Sequence, residues 1–434
     1  MKVVSFPVIF QDTMGRRRAG NRTRTPLMEN FMKRCFGLLI LPAALYAAPQ
    51  FVPLFDGKTL NGWRQCNGFA KYRVEEGAIV GVTAEGSPNS FLCTTKEYGD
   101  FVLEFDVKVD PALNSGVQIR SHQYPEEKTV RIFNGKTYVQ RKQPKDRVYG
   151  YQVEISNEKA GTSGGIYDEA RRGWLQDISS QPAASKAFKD NQWNHYKVEA
   201  IGDHIRVWVN GVPCADLVDS EDLTGFIALQ VHAFKGAKPA EVRWRNIRLQ
   251  DLGRHEWKPL WDGVSFNGWT KTGGGSWTIE EGAIHARSIP GDERIGYLVS
   301  ERSFKDLTVR LRFKMVRGNS GFFVRTDPKT MAAYEVEIDE TKGTGGFWET
   351  GPGGRKWVTG PEDNAAVKSG DWNDLTASLH GHRIVFHVNG VKTMELLNDT
   401  QGRLEGVLAL QVHGAKRPSE IWFKDIAVLT PAGR

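Results

Sequence analysis

The sequence has little cysteine, no long apolar run and no cofactor fingerprint, and each absence excludes a class of protein. Only four of the 434 residues are cysteines and none form a Cys-x-x-Cys pair, which excludes a zinc ribbon and a dithiol redox centre. No Gly-x-Gly-x-x-Gly fingerprint is present, so no bound nicotinamide is expected. No apolar stretch reaches the ~20 residues that a membrane-spanning helix needs. Helical periodicity of useful length is also lacking.

Excess charge is absent from most of the chain. The formal net charge is +7, but the first 48 residues hold eight basic and only two acidic side chains. The remainder carries 50 basic and 49 acidic residues, so it is close to neutral. The sequence therefore gives no reason to expect a nucleic acid or another polyanion as a partner.

The first 48 residues form a leader with a signal peptide at about 32–48. Met32-Lys33-Arg34 is a short positive segment, followed by an apolar stretch over residues 35–47 and two small residues. Residues 1–31 are interpreted as a spurious upstream start or a dispensable extension, with a permanent N-terminal anchor as the alternative. We expect a secreted or periplasmic protein with no integral membrane span once the signal is removed.

An exported chain would pair two of its three remaining cysteines, and Cys66 with Cys93 is the favoured pair.

The strongest pattern in the sequence is an internal repeat. Seven or more landmarks recur in one order, which predicts two homologous domains, 49–252 and 253–434. The principal landmarks are residues 53–57 and 61–63, which return as 259–263 and 267–269; 75–79, which return as 280–284; 114–116, which return as 319–321; and 225–232, which return as 406–413.

Short alternating runs separated by Gly, Asn and Asp turns predict β-strands throughout both repeats. About a dozen strands per repeat favour a two-sheet sandwich. The offset between repeats falls from 205 at Asn114/Asn319 to 183 at Tyr151/Tyr334, so the first repeat carries 22 extra residues within 121–150. Such an insertion either has no part in the function or forms one side of a functional site.

Alternation along three strands of each repeat predicts a polar face. In residues 116–120, Val117 and Ile119 face one side while Gln118 and Arg120 face the other. Two further strands present Gln152 with Glu154 and Gln230 with His232, and the second repeat presents Arg325, Glu335, Glu337, Gln411 and His413, with Phe323 in place of Gln118. A solvated sheet face is the alternative, but solvated faces favour Lys, Thr and Ser. We therefore predict a binding or catalytic face.

The LFDGKTLNGW opening, the NSG-x-x-x-R strand, the Tyr-containing strand, the Gly-Gly-Ile-Tyr segment and the LQ-x-H strand resemble the 3-keto-disaccharide hydrolase family. Its members are also described as 3-keto-glucoside 1,2-lyase/3-keto-2-hydroxyglucal hydratase domains. The resemblance covers both repeats. It implies an all-β fold of two tandem concanavalin A-like jelly-roll sandwiches, in exported bacterial proteins that act on oxidised sugars. Where the family commonly has Tyr-Glu-x-Gln, this chain has Tyr151-Gln152-Val153-Glu154 and Tyr334-Glu335-Val336-Glu337.

The implied substrate is a small oxidised sugar or glycoside whose 3-keto group acidifies the C2 proton. Removal of that proton gives an enolate that expels the C1 substituent, and water then adds back. This chemistry needs a base, a donor for the enolate oxygen and an acid. We expect Glu154 or His232 to be the base or acid and Arg120 to stabilise the enolate or substrate. Their counterparts are Glu337, His413 and Arg325, and the expected substrate contacts are Gln118, Gln152, Gln230, Tyr167, Trp174, Glu335, Gln411, Trp348 and Trp357.

Several alternatives stay open. No cofactor is predicted, but concanavalin A-like folds often hold calcium, so calcium or another divalent metal is an alternative, although no Asp-x-Asp-x-Asp run is present. The main rival function is a non-catalytic, lectin-like carbohydrate-binding protein, and a structural module is a third. Glu335 and Glu337, about 6.6 Å apart between α-carbons, keep conventional two-carboxylate glycosidase chemistry as a minor option.

Overall fold

The computed structural model describes residues 50–133, 137–341, 343–360 and 366–433, and the predicted leader lies outside them. Among the described residues the regular elements are β-strands, with a short 3-10 turn at Ala184–Lys186. This agrees with the alternation of apolar and polar residues between Gly, Asn and Asp turns. Within the described residues, no helix has the length and apolar character needed to cross a membrane.

The first repeat contains seventeen described strands. They are β1 (Val52–Pro53), β2 (Trp63–Asn67), β3 (Lys71–Glu75), β4 (Ala78–Val82), β5 (Ser90–Tyr98), β6 (Asp100–Val109), β7 (Ser115–Gln123), β8 (Lys128–Phe133), β9 (Tyr138–Gln143), β10 (Val148–Ile155), β11 (Ile166–Glu169), β12 (Gly173–Gln176), β13 (Asn194–Ile201), β14 (His204–Val209), β15 (Val212–Val218), β16 (Gly225–Val231) and β17 (Glu241–Gly253). One sheet has the order β15-β14-β13-β6-β17-β4-β3, with β1 on β17, and the other has the order β2-β5-β16-β7-β10-β11-β12-β8-β9. Apolar side chains of both sheets, including Phe105, Tyr151 and Trp244, pack into one core.

The second repeat contains fifteen described strands. They are β18 (His255–Pro259), β19 (Trp269–Gly273), β20 (Ser276–Glu280), β21 (Ala283–Arg287), β22 (Gly296–Phe304), β23 (Leu307–Arg317), β24 (Asn319–Thr326), β25 (Tyr334–Asp339), β26 (Phe347–Glu349), β27 (Lys356–Thr359), β28 (Asn373–His380), β29 (Arg383–Val388), β30 (Val391–Leu396), β31 (Gly406–Val412) and β32 (Glu420–Pro431). Its sheets have the orders β20-β21-β32-β23-β28-β29-β30, with β18 on β32, and β19-β22-β31-β24-β25-β26-β27. Phe313, Phe322 and Tyr334 lie in its core. The predicted pair of tandem jelly-roll sandwiches is confirmed.

The insertion in the first repeat extends a sheet. Residues 121–150 contain the antiparallel pair β8 and β9, and β8 pairs with β12 at the sheet edge. This sheet consequently has nine strands where its counterpart in the second repeat has seven. The disulfide between Cys66 and Cys93 joins β2 to β5 in the same sheet, as predicted, and Cys214 is free and buried.

A buried carboxylate joins the two repeats. Asp203, in the turn between β13 and β14, accepts hydrogen bonds from Thr308 Oγ1 at 2.6 Å, Ser378 Oγ at 2.7 Å and His380 Nε2 at 3.1 Å. Burial disfavours its ionisation, but the bonds from His380, Thr308 and Ser378 outweigh burial and lower the pKa of Asp203 to about 2. Nearby, Arg383 of β29 donates to the backbone oxygen of Asp216 at 2.8 Å. The two sandwiches therefore form one compact unit.

Candidate functional site

Three neighbouring strands of the nine-stranded sheet carry a polar surface that faces away from the core. We call it face one and define it by Gln118 of β7, Gln152 and Glu154 of β10, and Gln230 of β16. In the ladders, Gln152 lies opposite Gln118, while Glu154 and Gln230 both lie opposite Gly116. The prediction from alternation is correct for these four side chains, which the structure brings together.

Side-chain amides of face one form a chain of hydrogen bonds that ends at Glu154. Gln118 Nε2 and Gln230 Nε2 donate to Gln152 Oε1 at 2.7 and 2.8 Å, and Gln152 Nε2 donates to Glu154 Oε2 at 3.0 Å. Asn114 Nδ2 donates to the other carboxylate oxygen at 2.6 Å. Gln152 and Asn114 donate directly to the carboxylate, so these hydrogen bonds support its ionised form.

The Asn-Ser-Gly motif of each repeat builds the surroundings of this carboxyl group. Asn114 holds Glu154, and the Ser115 hydroxyl donates to the backbone oxygen of Gln230 at 2.7 Å. Gly116 leaves room for the next strand, because a Cβ there would lie 2.5 Å from Cγ and Cδ of Gln152. Gly321 has the same role, since its Cβ would lie 2.1 Å from Glu335 Oε1.

Glu154 has a perturbed acidity. Burial raises its pKa to about 7, and the hydrogen bonds from Asn114 and Gln152 limit the rise. A carboxyl group that titrates near neutral pH can both accept and return a proton, which is the property of a general acid–base catalyst.

Replacing Asn114 by Ala should raise the pKa of Glu154 further. The change removes one donor from the carboxylate while leaving it buried, so the neutral form gains. A hydrogen bond to a charged group is worth about 1.5–3 kcal/mol, which corresponds to a rise of about one to two pH units. The measurement is an NMR titration of the Glu154 side-chain carboxyl carbon, with the exposed Asn398→Ala as control. A pKa that stays in place, or falls, would show that Asn114 does not support the carboxylate.

Arg120 and Arg325 do not lie on the polar faces, so their predicted positions are wrong. Both have left-handed backbone conformations, with φ of 46° and 49°. The β7–β16 ladder slips at the same point, pairing Ser121 with Phe226 but Gln118 with Ala228. This bulge reverses the alternation, so that Ser121 donates to Gln118 Oε1 at 2.9 Å.

The guanidinium of Arg120 is instead a buried structural group. Its Nε donates to the backbone oxygen of Gly99 at 2.8 Å and its Nη1 to that of Gly202 at 2.6 Å, while Nη2 lies 3.1 Å from Asp100. Arg325 likewise donates to the backbone oxygen of Arg403 at 3.1 Å. Neither side chain is placed to stabilise an enolate on a sheet face.

Arg147 is a cation beside face one that the sequence pattern did not reveal, since it packs over Phe91, which lies opposite Gln230 in the β5–β16 ladder. It lies at the end of the insertion, forms an ion pair with Glu169 of β11, and packs over the Phe91 ring at 5.6 Å. Its Nη1 is buried and has no hydrogen-bond partner in the part of the chain that the structure describes. Alternation with Tyr167 along β11 could have identified Glu169. Arg147 lies in a segment with no counterpart in the second repeat, so the repeat comparison gave no signal.

The remaining predicted residues of the first repeat lie around this surface. His232 follows the end of β16, is half-buried, and its Nδ1 lies 2.8 Å from the backbone oxygen of Ala233. Tyr167 lies opposite Gln152, and its ring meets that of Trp174 edge-to-face with centroids 5.3 Å apart. Both aromatic rings are half-buried.

The corresponding surface of the second repeat, face two, is defined by Phe323, Glu335, Glu337 and Gln411. Glu335 lies opposite Phe323, and Asn319 donates to Glu337 as Asn114 does to Glu154. Burial raises the pKa of Glu337 to about 7. Burial, with a smaller contribution from the charge of Glu337, raises the pKa of Glu335 well above its usual range.

Two tryptophans and a histidine border face two. Trp348 lies opposite Glu335, and its ring meets that of Trp357 edge-to-face with centroids 5.1 Å apart. Trp357 is 48% exposed. His413 is half-buried, and burial together with the nearby Arg417 lowers its pKa.

The described residues contain no cluster of three or more His, Cys, Asp or Glu side chains that could hold a metal ion. We assign no step to a metal.

The comparison with family models agrees with this architecture. A family model described as the 3-keto-alpha-glucoside-1,2-lyase-like domain matches residues 50–250 and again residues 256–429. The chain belongs to this family. Each lyase-like domain corresponds to one sandwich, and the family makes the chain a carbohydrate-active protein.

No curated protein matches this lyase-like chain. Among solved structures it is similar to a candidate glycosyl hydrolase from Parabacteroides distasonis, with 18% identity over 41% of this chain and 94% of that chain and a TM-score of 0.31. It is also similar to the carbohydrate-binding module CBM66 from Bacillus subtilis, with 16% identity over 38% of this chain and 96% of that one and a TM-score of 0.32. Each similarity spans about the length of one lyase-like domain.

Proposed function

We propose that face one cleaves the glycosidic bonds of 3-keto-glucosides or 3-keto-disaccharides, and that the protein does so after export. The observation that carries the proposal is Glu154, a buried carboxyl group with a pKa of about 7 that amide donors hold on a polar sheet face. Membership of the lyase-like family supports the choice of substrate.

The chemistry follows from the groups around Glu154. Its carboxylate removes the C2 proton, and the electron pair moves towards the 3-keto oxygen to form an enolate. Arg147, with its unpartnered buried Nη1, would stabilise that oxygen. The C1–oxygen bond then breaks, and Glu154 returns the proton to the leaving oxygen. Addition of water across the resulting double bond, with a proton returned to C2, completes a net hydrolysis.

The proposal is tested by incubating the full chain with a 3-keto-glucoside in deuterium oxide. Because the C2 proton is removed and later replaced, the released 3-keto sugar should carry one deuterium at C2, detected by mass spectrometry and NMR. The same sugar incubated with heat-denatured chain is the control for spontaneous exchange. Cleavage without deuterium at C2 would exclude this elimination mechanism.

Non-catalytic carbohydrate binding is the second candidate. The aromatic pairs Tyr167 with Trp174 and Trp348 with Trp357, one beside each face, favour it, since aromatic rings stack on sugars. Saturable quenching of tryptophan fluorescence by the 3-keto-glucoside, without any turnover, would support this function over catalysis.

A further inference from the structure

Face two differs from face one at the residue that decides its acid–base chemistry. On the same side of β25 as Asp339, Glu335 occupies the position of Gln152, so face two has the carboxyl groups of Glu335 and Glu337 on one strand, two residues apart. Their α-carbons are separated by about 6.6 Å along the strand. Both side chains are buried, with 4% and 9% exposure. Arg417, whose charge acts on Glu337, forms its ion pair with Asp339.

This arrangement favours a pair of carboxyl groups that hold one proton between them and differ in acidity. Two adjacent buried carboxylates repel one another, and Arg417 is already paired with Asp339, so one of the two stays protonated. Of the two, Glu337 accepts a hydrogen bond from Asn319 Nδ2, which also donates to Asp339, and this bond supports the ionised form of Glu337. Glu335 is therefore the group that holds the proton. Gln152 in face one donates hydrogen bonds but cannot transfer a proton.

An exposed aromatic ring adjoins these carboxyl groups. A Cβ at Gly343 would lie 3.2 Å from the Trp357 ring and 3.5 Å from Glu337 Cγ, so the absence of a side chain there leaves the ring and the carboxyl-bearing side chain close together. The exposed ring offers an apolar surface for the C–H face of a pyranose. The second repeat lacks the insertion that brings Arg147 to face one, and so lacks that donor for an enolate.

We propose that face two is a second catalytic site that hydrolyses the glycosidic bond of a neutral, unoxidised pyranoside stacked on Trp357. Glu335 gives its proton to the leaving oxygen as the C1–oxygen bond breaks. Glu337 removes a proton from the water whose oxygen bonds to C1. Transfer of that proton from Glu337 to Glu335 restores the pair, so one water is consumed and no further reactant is required. Separated acid and base roles for two carboxyl groups are the requirement for such hydrolysis.

The test uses the full chain and four probes, the 4-nitrophenyl α- and β-D-glucopyranosides and galactopyranosides. At least one should release 4-nitrophenol, with a bell-shaped pH profile. Glu335→Gln and Glu337→Gln should each lower kcat by about 10²–10⁴-fold. Glu301→Gln, an exposed glutamate on β22 of the same repeat, is the matched control and should leave the rate within twofold. Trp357→Ala should mainly raise KM.

The variants are informative because Glu335→Gln reproduces the residue that face one already tolerates, and thermal unfolding checks that each variant is folded. The proposal is overturned when none of the four probes releases 4-nitrophenol. Release that persists in folded Glu335→Gln or Glu337→Gln also overturns it. The test is separate from that of face one, because its substrates have no keto group and its products should carry no deuterium at C2.

Discussion

Replacing Glu154 by Gln is expected to lower the rate of 3-keto-glucoside cleavage by about 10²–10⁴-fold, the usual contribution of a general acid–base group. The substitution keeps the size of the side chain but removes its ability to accept the C2 proton. The rate of substrate loss and the incorporation of deuterium at C2 should fall together. Both are measured by NMR on the folded variant.

The matched control is Glu97→Gln, because Glu97 is an exposed glutamate of the same sheet and should give the unaltered rate. His232→Ala provides a second comparison. Since His232 lies beyond the end of β16, we expect His232→Ala to lower the rate of cleavage less than Glu154→Gln does. Unaltered cleavage in both Glu154→Gln and His232→Ala would show that face one is not the catalytic site.

The second large effect concerns stability. Replacing Arg120 by Met should destabilise the chain by about 3–5 kcal/mol, because it removes the cation from a buried ion pair and leaves Asp100 and two backbone oxygens without these donors. The free energy of unfolding is measured in urea. Arg248→Met is the control, since the Arg248 side chain is 54% exposed and loss of its pair with Glu104 should cost only about 0–1 kcal/mol.

This experiment also decides between two roles for Arg120. A structural arginine lowers stability while the folded fraction keeps its rate of 3-keto-glucoside cleavage. If the variant unfolded at the same urea concentration as the unaltered chain but lost cleavage, Arg120 would act on the substrate as the strand pattern suggested.

Sequence reasoning succeeded where a strand continues without interruption. Gln118, Gln152 and Gln230 could be placed on one face because strict alternation holds across the stretches of β7, β10 and β16 that carry them. The Cys66–Cys93 pair and the two-sandwich fold were accessible for a similar reason, since spacing and turn residues are local signals. Two copies of one pattern strengthened each of these predictions.

The positions of Arg120 and Arg147 and the acidities of face two depend on features that leave no local signal in the sequence. The bulge that turns Arg120 away from the face needs a left-handed arginine, and no glycine or asparagine marks the position. Arg147 reaches Glu169 and Phe91 only because the insertion folds back along the sheet, which is a tertiary result. The acidities of Glu335 and Glu337 likewise come from burial, which the strand pattern could not measure.

The buried contact of Asp203 has a consequence for how this duplication can evolve. Its partners Thr308, Ser378 and His380 all belong to the other copy. A copy lost by recombination would leave the survivor with an ionised carboxylate stripped of these donors, or with hydroxyl groups stripped of their acceptor. Loss of one copy would therefore remove part of the hydrogen bonding of the other. Face one and face two can diverge in chemistry while this buried contact still joins the two copies.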